Sequence, residues 1–125
     1  MAGNGSSGSG RLTTHVLDTA SGRPAAGVPI EVFRLDGETR DRLLTVETNQ
    51  DGRCDGPLLD GADFTPGCYE LVFHVAAYFR AVGVDLPTPA FLDSVPVRFG
   101  VDDAAAHYHV PLLISPYGYS TYRGS

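Results

Sequence analysis

The chain has 125 residues, of which 42% are hydrophobic and 19% charged, so it can bury a packed core in one domain and is unlike a disordered protein. Its formal net charge is −6, and its nine basic residues are all arginines without a cluster, so nucleic acid is not an expected partner. No apolar stretch approaches the ~20 residues of a membrane-spanning helix, and no secretory signal is recognisable, so we expect no membrane partner and a cytoplasmic location.

The N-terminal ten residues differ in composition from the rest of the chain. Residues 1–10, MAGNGSSGSG, are mostly glycine and serine and predict a flexible tail before a folded domain at 11–125. The two cysteines, Cys54 and Cys68, are too few for a disulfide framework and lack CxxC spacing, so we interpret them as free thiols.

The folded part predicts an all-β sandwich, because short β-branched and aromatic runs alternate with clusters of Gly, Pro, Asp and Asn. The first run, Arg11–Asp18, predicts a strand with Thr13, His15 and Leu17 on one face. A hairpin is expected next, and the turn at 49–52 should place Arg53 where a strand emerges. The further predictions are strands over 68–75, 95–101, 106–115 and 119–125, with a short helix over 76–81.

Two histidines, His107 and His109, fall on one face of a predicted strand, about 7 Å apart. This arrangement is recurrent for metal ligands and general bases, but two surface histidines on a half-exposed strand would give the same pattern. His74 has no accompanying motif, and we interpret it as structural or solvated.

The remaining candidate residues are ambiguous when taken singly. His15 could be structural, and Arg53 could be a solvated turn residue or a forked donor for a carbonyl or anionic oxygen. The last four residues, Tyr122 to Ser125, combine a phenol, a guanidinium, a hydroxyl and the terminal carboxylate, although chain ends are often frayed.

Four segments carry a resemblance to a known family. They are THVLDTASGRPAAGVPIEVF, TNQDGRCDGPLL with FTPGCYELVF, LDSVPVRFGVDD and HYHVPLLISPYGYSTYRGS, and together they span residues 12–125. The first two also match transthyretin-like modules that are not enzymes. The last one resembles the C-terminal signature of 5-hydroxyisourate hydrolases, including the Tyr-Arg-Gly-Ser ending that transthyretin lacks.

The resemblance implies a transthyretin-like two-sheet sandwich of seven to eight strands with one short helix. It implies hydrolysis of 5-hydroxyisourate to 2-oxo-4-hydroxy-4-carboxy-5-ureidoimidazoline in urate catabolism, without a cofactor. The catalytic residues carried over by position are His15, Arg53, His109 and Ser125. The substrate-binding residues carried over in the same way are His15, Arg53, Tyr122, Arg123, Gly124 and Ser125.

The resemblance also implies a mechanism and an assembly. His15 and His109 would share the acid and base work, Arg53 would hold substrate oxygens, and the C-terminal tail would close the pocket. We expect no metal, because the histidines lack a standard fourth ligand, and a zinc site is the weaker alternative. The family implies a homotetramer with sites at the interface between dimers.

Two rival functions remain open from the sequence. A non-catalytic, transthyretin-like carrier of small ligands would share the fold, although the terminal tetrapeptide argues against it. A cell-surface or accessory sandwich module would explain the Asp-Gly turns but not the histidine pair.

Overall fold

The structure is a computed structural model that describes residues 10–124. Residues 1–9, which belong to the predicted tail, and Ser125 lie outside the described part. Within it, the chain forms two β-sheets and one short α-helix. The strands are β1 (Arg11–Asp18), β2 (Arg23–Pro24), β3 (Pro29–Asp36), β4 (Thr39–Glu47), β5 (Leu59–Asp60), β6 (Gly67–Phe73), β7 (Val95–Val101), β8 (His107–Ser115) and β9 (Gly118–Thr121), and the helix is α1 (Val75–Ala81).

The first sheet has the strand order β2-β1-β8-β9, with β5 pairing alongside the start of β1. Its two long strands, β1 and β8, are parallel although they lie at opposite ends of the chain. In β1 every second residue is buried, which confirms that Thr13, His15 and Leu17 share the outer, half-buried face. The outer face of this sheet is therefore where polar side chains can meet.

The second sheet has the strand order β4-β3-β6-β7, and all of its neighbouring strands are antiparallel. The predicted hairpin is confirmed as the pair β3 and β4. The two sheets enclose one apolar core, because the alternating residues of each sheet point toward the other. Its largest fully buried side chains include Tyr69, Phe64, Phe73, Phe79, Leu12, Ile30, Leu71, Leu112 and Ile114.

Helix α1 follows β6 directly and packs four of its residues, Val75, Ala76, Tyr78 and Phe79, into the interior. The Tyr78 hydroxyl donates a 2.8 Å hydrogen bond to Asp18 Oδ2 at the end of β1. Burial and this carboxylate together raise the pKa of Tyr78 to about 12, so the hydroxyl keeps its proton. This hydrogen bond joins helix α1 to the first sheet.

Several predicted boundaries need correction. The strand expected over 68–75 ends at Phe73, because the chain turns at His74 and Val75 already begins the helix. The final strand ends at Thr121 rather than at the terminus, and only an isolated bridge joins Gly124 to His109 beyond it. The two-residue strands β2 and β5 were not predicted, since so short a pairing leaves no sequence pattern. No helix in residues 10–124 is long and apolar enough to cross a membrane.

Candidate active site

Two histidine-bearing strands lie side by side in the first sheet. In the parallel register of β1 and β8, Thr13 is opposite His109 and Arg11 is opposite His107. Side chains alternate along each strand, so His15 lies on the same face, two residues beyond Thr13. The structure therefore gathers histidines from positions more than 90 residues apart.

Arg53 reaches this face because a tight turn is fastened to β1. The turn closes with a hydrogen bond from Gly52 N–H to Asn49 O, and Val16 N–H then donates to Gly52 O at 2.8 Å. Gly52 has φ +74°, and a Cβ there would meet Val16 O at 2.4 Å, so glycine is required. The next residue, Arg53, consequently forms a β-bridge with His15.

A single hydroxyl joins the two histidines of β8. Thr13 Oγ1 lies 2.7 Å from His107 Nε2 and 2.8 Å from His109 Nδ1. The two imidazole centroids are 6.2 Å apart, close to the spacing expected for alternate residues of a strand. The strand pattern predicts Thr13 on the face of His15 but predicts no role for it, because a threonine in a strand has no distinguishing sequence motif.

These residues line a cleft of about 350 Å³, which is large enough for a small heterocycle. Its lining consists of Arg11, Thr13, Thr14, Arg53, Cys54, Gly56, His107 and His109. Among residues 10–124, two arginines and no carboxylate line it, although the protein as a whole carries a net charge of −6. Within residues 10–124 the Arg53 guanidinium makes no side-chain hydrogen bond or ion pair, so its donors are available to a ligand. The cleft suits a molecule rich in carbonyl or anionic oxygens.

The three histidines of this face are all biased toward their neutral form. Burial and the Arg53 charge lower the pKa of His15 below its ordinary value of 6.5. Burial likewise lowers the pKa of His109, with Arg53, His107 and His15 adding to the effect. The pKa of His107 is lowered by burial and by Arg11. At neutral pH the site therefore offers uncharged imidazoles, which can accept a proton.

The C-terminal tail touches the site through Gly124. Gly124 N–H donates a 2.7 Å hydrogen bond to His109 O, and a Cβ on Gly124 would lie 2.7 Å from His109 Cδ2. The Arg123 guanidinium instead stacks over the Tyr108 ring at 4.0 Å. Tyr122 is exposed and lines a neighbouring cleft together with Arg123. Gly124 and Arg123 therefore both contact the backbone of a cleft histidine, Arg123 by a 3.4 Å hydrogen bond to His107 O, whereas Tyr122 lies in the neighbouring cleft.

Cys54 lines the cleft, but it is a poor nucleophile. Burial, aided by Asp55, raises the pKa of its thiol, which is therefore protonated at neutral pH. Cys54 and Cys68 are both free thiols. Among residues 10–124, no group of three His, Cys, Asp or Glu side chains is arranged to hold a metal.

His74 lies in the other sheet region, away from this cleft. Its Nε2 is 2.8 Å from Glu31 Oε1, so it has a local partner. His15, by contrast, does not line the cleft itself but adjoins it through its bridge to Arg53. The histidines of the chain thus divide into three on the outer face of the first sheet and one elsewhere.

Comparisons with known proteins show the family and the fold of the chain. The model of the HIUase/Transthyretin family matches residues 12–124. A "5-hydroxyisourate hydrolase 2" of Rhizobium meliloti (strain 1021) is 68% identical over 117 residues, covering 94% of this chain and 98% of that protein. A crystal structure of (S)-allantoin synthase has a TM-score of 0.88 and 47% identity, covering 93% of this chain, which spans 44% of that longer chain. A 5-hydroxyisourate hydrolase structure from Klebsiella pneumoniae has a TM-score of 0.74 and 34% identity, covering 93% of this chain and 94% of the other.

Proposed function

The chain belongs to the HIUase/Transthyretin family, and from this membership we propose that it hydrolyses 5-hydroxyisourate to 2-oxo-4-hydroxy-4-carboxy-5-ureidoimidazoline in urate catabolism. The observation that carries the proposal is the meeting of His109 and Arg53 at one cleft, with His15 bridged to Arg53. Carriers need no such set of neutral bases beside an unpaired guanidinium. The reaction is addition of water to an amide-like ring carbonyl followed by release of the ring nitrogen.

The imidazoles of His109 and His15 share the proton transfers. One accepts a proton as water attacks the carbonyl, and a protonated imidazole then supplies the proton for the departing nitrogen. Their lowered pKa values support this role, because a base must be unprotonated before water attacks. Proton transfer of this kind contributes roughly 10²–10⁴-fold to a rate.

Arg53 binds and stabilises the oxygen on which charge develops. Its planar guanidinium presents several donors in a fixed geometry, which suits two neighbouring oxygens of a planar heterocycle. In the described part of the chain, no acidic side chain lines the cleft to neutralise it. The cost of losing a donor to a developing oxyanion is about 10²–10³ in kcat.

The C-terminal residues Tyr122 to Ser125 bind substrate and close the site, with Ser125 supplying a hydroxyl or its terminal carboxylate. The contact of Gly124 with His109 supports this assignment, because it brings the tail to the edge of the cleft. Tyr122 and Arg123 contribute from the neighbouring cleft that they line in this chain.

The active form is a homotetramer with sites at the interface between dimers. The histidine cleft lies on an outer sheet face, where a second subunit can cover it. The described residues also expose four aromatic side chains that are further candidates for subunit contacts: Phe91, Tyr117, Tyr119 and Tyr122. Light scattering should give four times the mass of the 13.3 kDa chain, and a monomer with full activity would contradict the assembly.

The assay that tests the activity uses urate oxidase to make 5-hydroxyisourate and follows its decay with and without the protein. The decay should be accelerated in proportion to protein concentration, and the acceleration should survive exhaustive chelation, since no metal or cofactor is proposed. An unchanged decay rate would remove the hydrolase function. Activity lost on chelation and restored by zinc would replace the histidine mechanism with a metal-dependent one. A cytoplasmic location stays a prediction from the sequence.

A further inference from the structure

One hydroxyl group lies within hydrogen-bond distance of two imidazoles at the candidate site. Thr13 Oγ1 is within hydrogen-bond distance of His107 Nε2 and of His109 Nδ1, at 2.7 and 2.8 Å. All three side chains are half-buried on the outer face of the first sheet. The strand register fixes the arrangement, because Thr13 lies directly opposite His109 in the parallel pair of β1 and β8.

A threonine hydroxyl has one hydrogen to donate and lone pairs to accept with. Two imidazole N–H groups could both donate to the oxygen, but the Thr13 hydrogen would then have no acceptor within residues 10–124. The hydroxyl uses its hydrogen and its lone pairs together only when one of the two facing nitrogens carries a proton and the other does not. The tautomers of His107 and His109 are therefore coupled. Either His109 donates from Nδ1 and His107 accepts at Nε2, or His107 donates from Nε2 and His109 accepts at Nδ1.

We propose that Thr13 is a positioning residue that donates its proton to His107 Nε2 and accepts from His109 Nδ1, leaving His109 Nε2 bare as the base. The inference rests on the proposed function, in which His109 accepts a proton from water. His109 Nε2 has no hydrogen-bond partner within residues 10–124, and the side chain lines the cleft. In the opposite arrangement Nε2 would carry the proton and could not accept another.

The protons balance through the reaction. His109 Nε2 takes a proton from water while the water oxygen bonds to the ring carbonyl carbon. His109 then carries a proton on each nitrogen, with Nδ1–H still donating to Thr13 and the Thr13 proton still directed at His107. When the carbon–nitrogen bond breaks, the departing ring nitrogen receives a proton from Nε2 directly, or from His15, which then takes the Nε2 proton in its place. Either route restores the initial tautomer of His109.

This arrangement gives His107 a role that it lacks when considered alone. It is the acceptor at the end of the chain His109–Thr13–His107, and it acts on the reaction only through the hydroxyl. Removing His107 would free the Thr13 proton to turn toward His109 Nδ1. His109 would then move to the tautomer with the proton on Nε2.

The tautomer can be measured directly in the protein alone by NMR of 15N-labelled histidines, at a pH well above 6.5, where imidazoles with lowered pKa values are neutral. Wild-type His109 should carry its proton on Nδ1. Thr13→Val and His107→Ala should each shift it toward Nε2–H, whereas Thr13→Ser, which keeps the hydroxyl, should not. A wild-type His109 with its proton on Nε2 would overturn the inference.

Kinetics provide the second arm. Thr13→Val should lower kcat roughly 10- to 100-fold with little change in KM, and Thr13→Ser should restore most of it. Thr19→Val is the matched control, because it removes a threonine hydrogen bond to β8, at Ile114 O, outside the cleft. His107→Ala should add at most about 2-fold in the Thr13→Val background, since the two residues act as a unit. Full turnover by folded Thr13→Val would contradict the inference.

The two arms separate this inference from the proposed function. A wild-type protein that shows the Nδ1–H tautomer but does not accelerate decay of 5-hydroxyisourate overturns the hydrolase proposal, and with it the catalytic use of the tautomer. A wild-type hydrolase with the Nε2–H tautomer overturns only the role of Thr13.

Discussion

Three basic groups disfavour protonation of His109, more than act on either other histidine of the site. The Arg53 guanidinium, His107 and His15 all disfavour a second proton on its ring, in addition to burial. Arg53 acts on His15 in the same direction, whereas Arg11 acts on His107. Arg53 thus lowers the pKa of His15 and His109, and Arg11 lowers that of His107.

Replacing these arginines should separate the couplings. Arg53→Gln should raise the pKa of His109 and of His15 and leave that of His107 nearly unchanged, because only the first two have Arg53 among the causes of their shift. Arg11→Gln is the matched control and should raise the pKa of His107. Histidine titration by NMR measures all three in one experiment. Equal shifts in both variants would show that the charges do not act locally.

The pH dependence of the reaction follows from the same lowered pKa values. A base whose pKa lies below 6.5 is mostly unprotonated at neutral pH, so kcat/KM should change little there. It should decrease only as the pH falls below 6.5, through the lowered pKa of the acting histidine. A rate profile measured in buffers of constant ionic strength tests this. An acid limb with its midpoint above pH 6.5 would contradict the lowered pKa of His109 in the free protein.

Gly124 is required because the tail backbone lies against an imidazole. A Cβ at this position would be 2.7 Å from His109 Cδ2, so Gly124→Ala must displace either the ring or the tail. We expect kcat/KM to fall about 10- to 100-fold, since displacing a catalytic group by about 1 Å has effects of this size. Gly118→Ala is the control, because its Cβ would meet only Ser115 Oγ at 3.6 Å. Equal activity of the two variants would exclude a close contact in the working enzyme.

Among the individual site residues, His15, Arg53 and His109 could be predicted from the sequence only through the resemblance to a known family. Each of them had an ordinary alternative, and no spacing in the chain links them. Thr13 could not be found, because its importance depends on which residue of β8 lies beside it. Such a pairing follows from the register of two strands separated by almost the whole chain.

At the scale of strands, the outer face of the second sheet carries a charged ladder. Glu70 on β6 is buried and accepts hydrogen bonds from Arg40 on β4 and Arg98 on β7. Arg40 crosses the ring of Phe33 at 3.6 Å to reach it. Burial raises the pKa of Glu70, but the hydrogen bonds from Arg98 and Arg40 outweigh it and the net shift is downward. The carboxylate therefore stabilises the fold in its charged form.

Glu70→Gln should lower the free energy of unfolding by about 1–3 kcal/mol, because it weakens charge-assisted hydrogen bonds that join three strands. Urea unfolding at fixed protein concentration measures the loss. The difference from wild type should shrink as the pH falls below 4.5, the ordinary pKa of Glu70, because the wild-type carboxylate then protonates too. Glu38→Gln, in the exposed β3–β4 turn, should change stability by less than about 0.5 kcal/mol. An equal loss in both variants would remove the structural role of the ladder.

Most strands could be predicted because alternation and turn residues are local signals. The strand over Val95–Val101 and the first strand have the predicted bounds, and the helix begins one residue earlier than predicted. The error at Val75 arose because an apolar residue suits a strand and a buried helix equally well. The parallel pairing of β1 with β8 could not be predicted. The two strands are separated by almost the whole chain, and the local sequence of neither strand indicates which strand it pairs with.

The residues that stabilise the fold and the residues of the candidate site lie on different faces of the sheets. The inner faces of the two sheets form the apolar core, and the outer face of the first sheet carries the histidines. Fold alone would allow a carrier as well as an enzyme. What distinguishes the two is the presence of neutral imidazoles next to Arg53, and this can be tested by removing one group at a time.

The most direct measurement is the decay rate of freshly made 5-hydroxyisourate with equal amounts of wild-type protein, His109→Asn and His74→Asn. We predict that wild type and His74→Asn accelerate the decay equally, because His74 contacts Glu31 away from the cleft. His109→Asn should be slower by about 10²–10⁴-fold. An acceleration by His109→Asn equal to that of wild type would contradict the account.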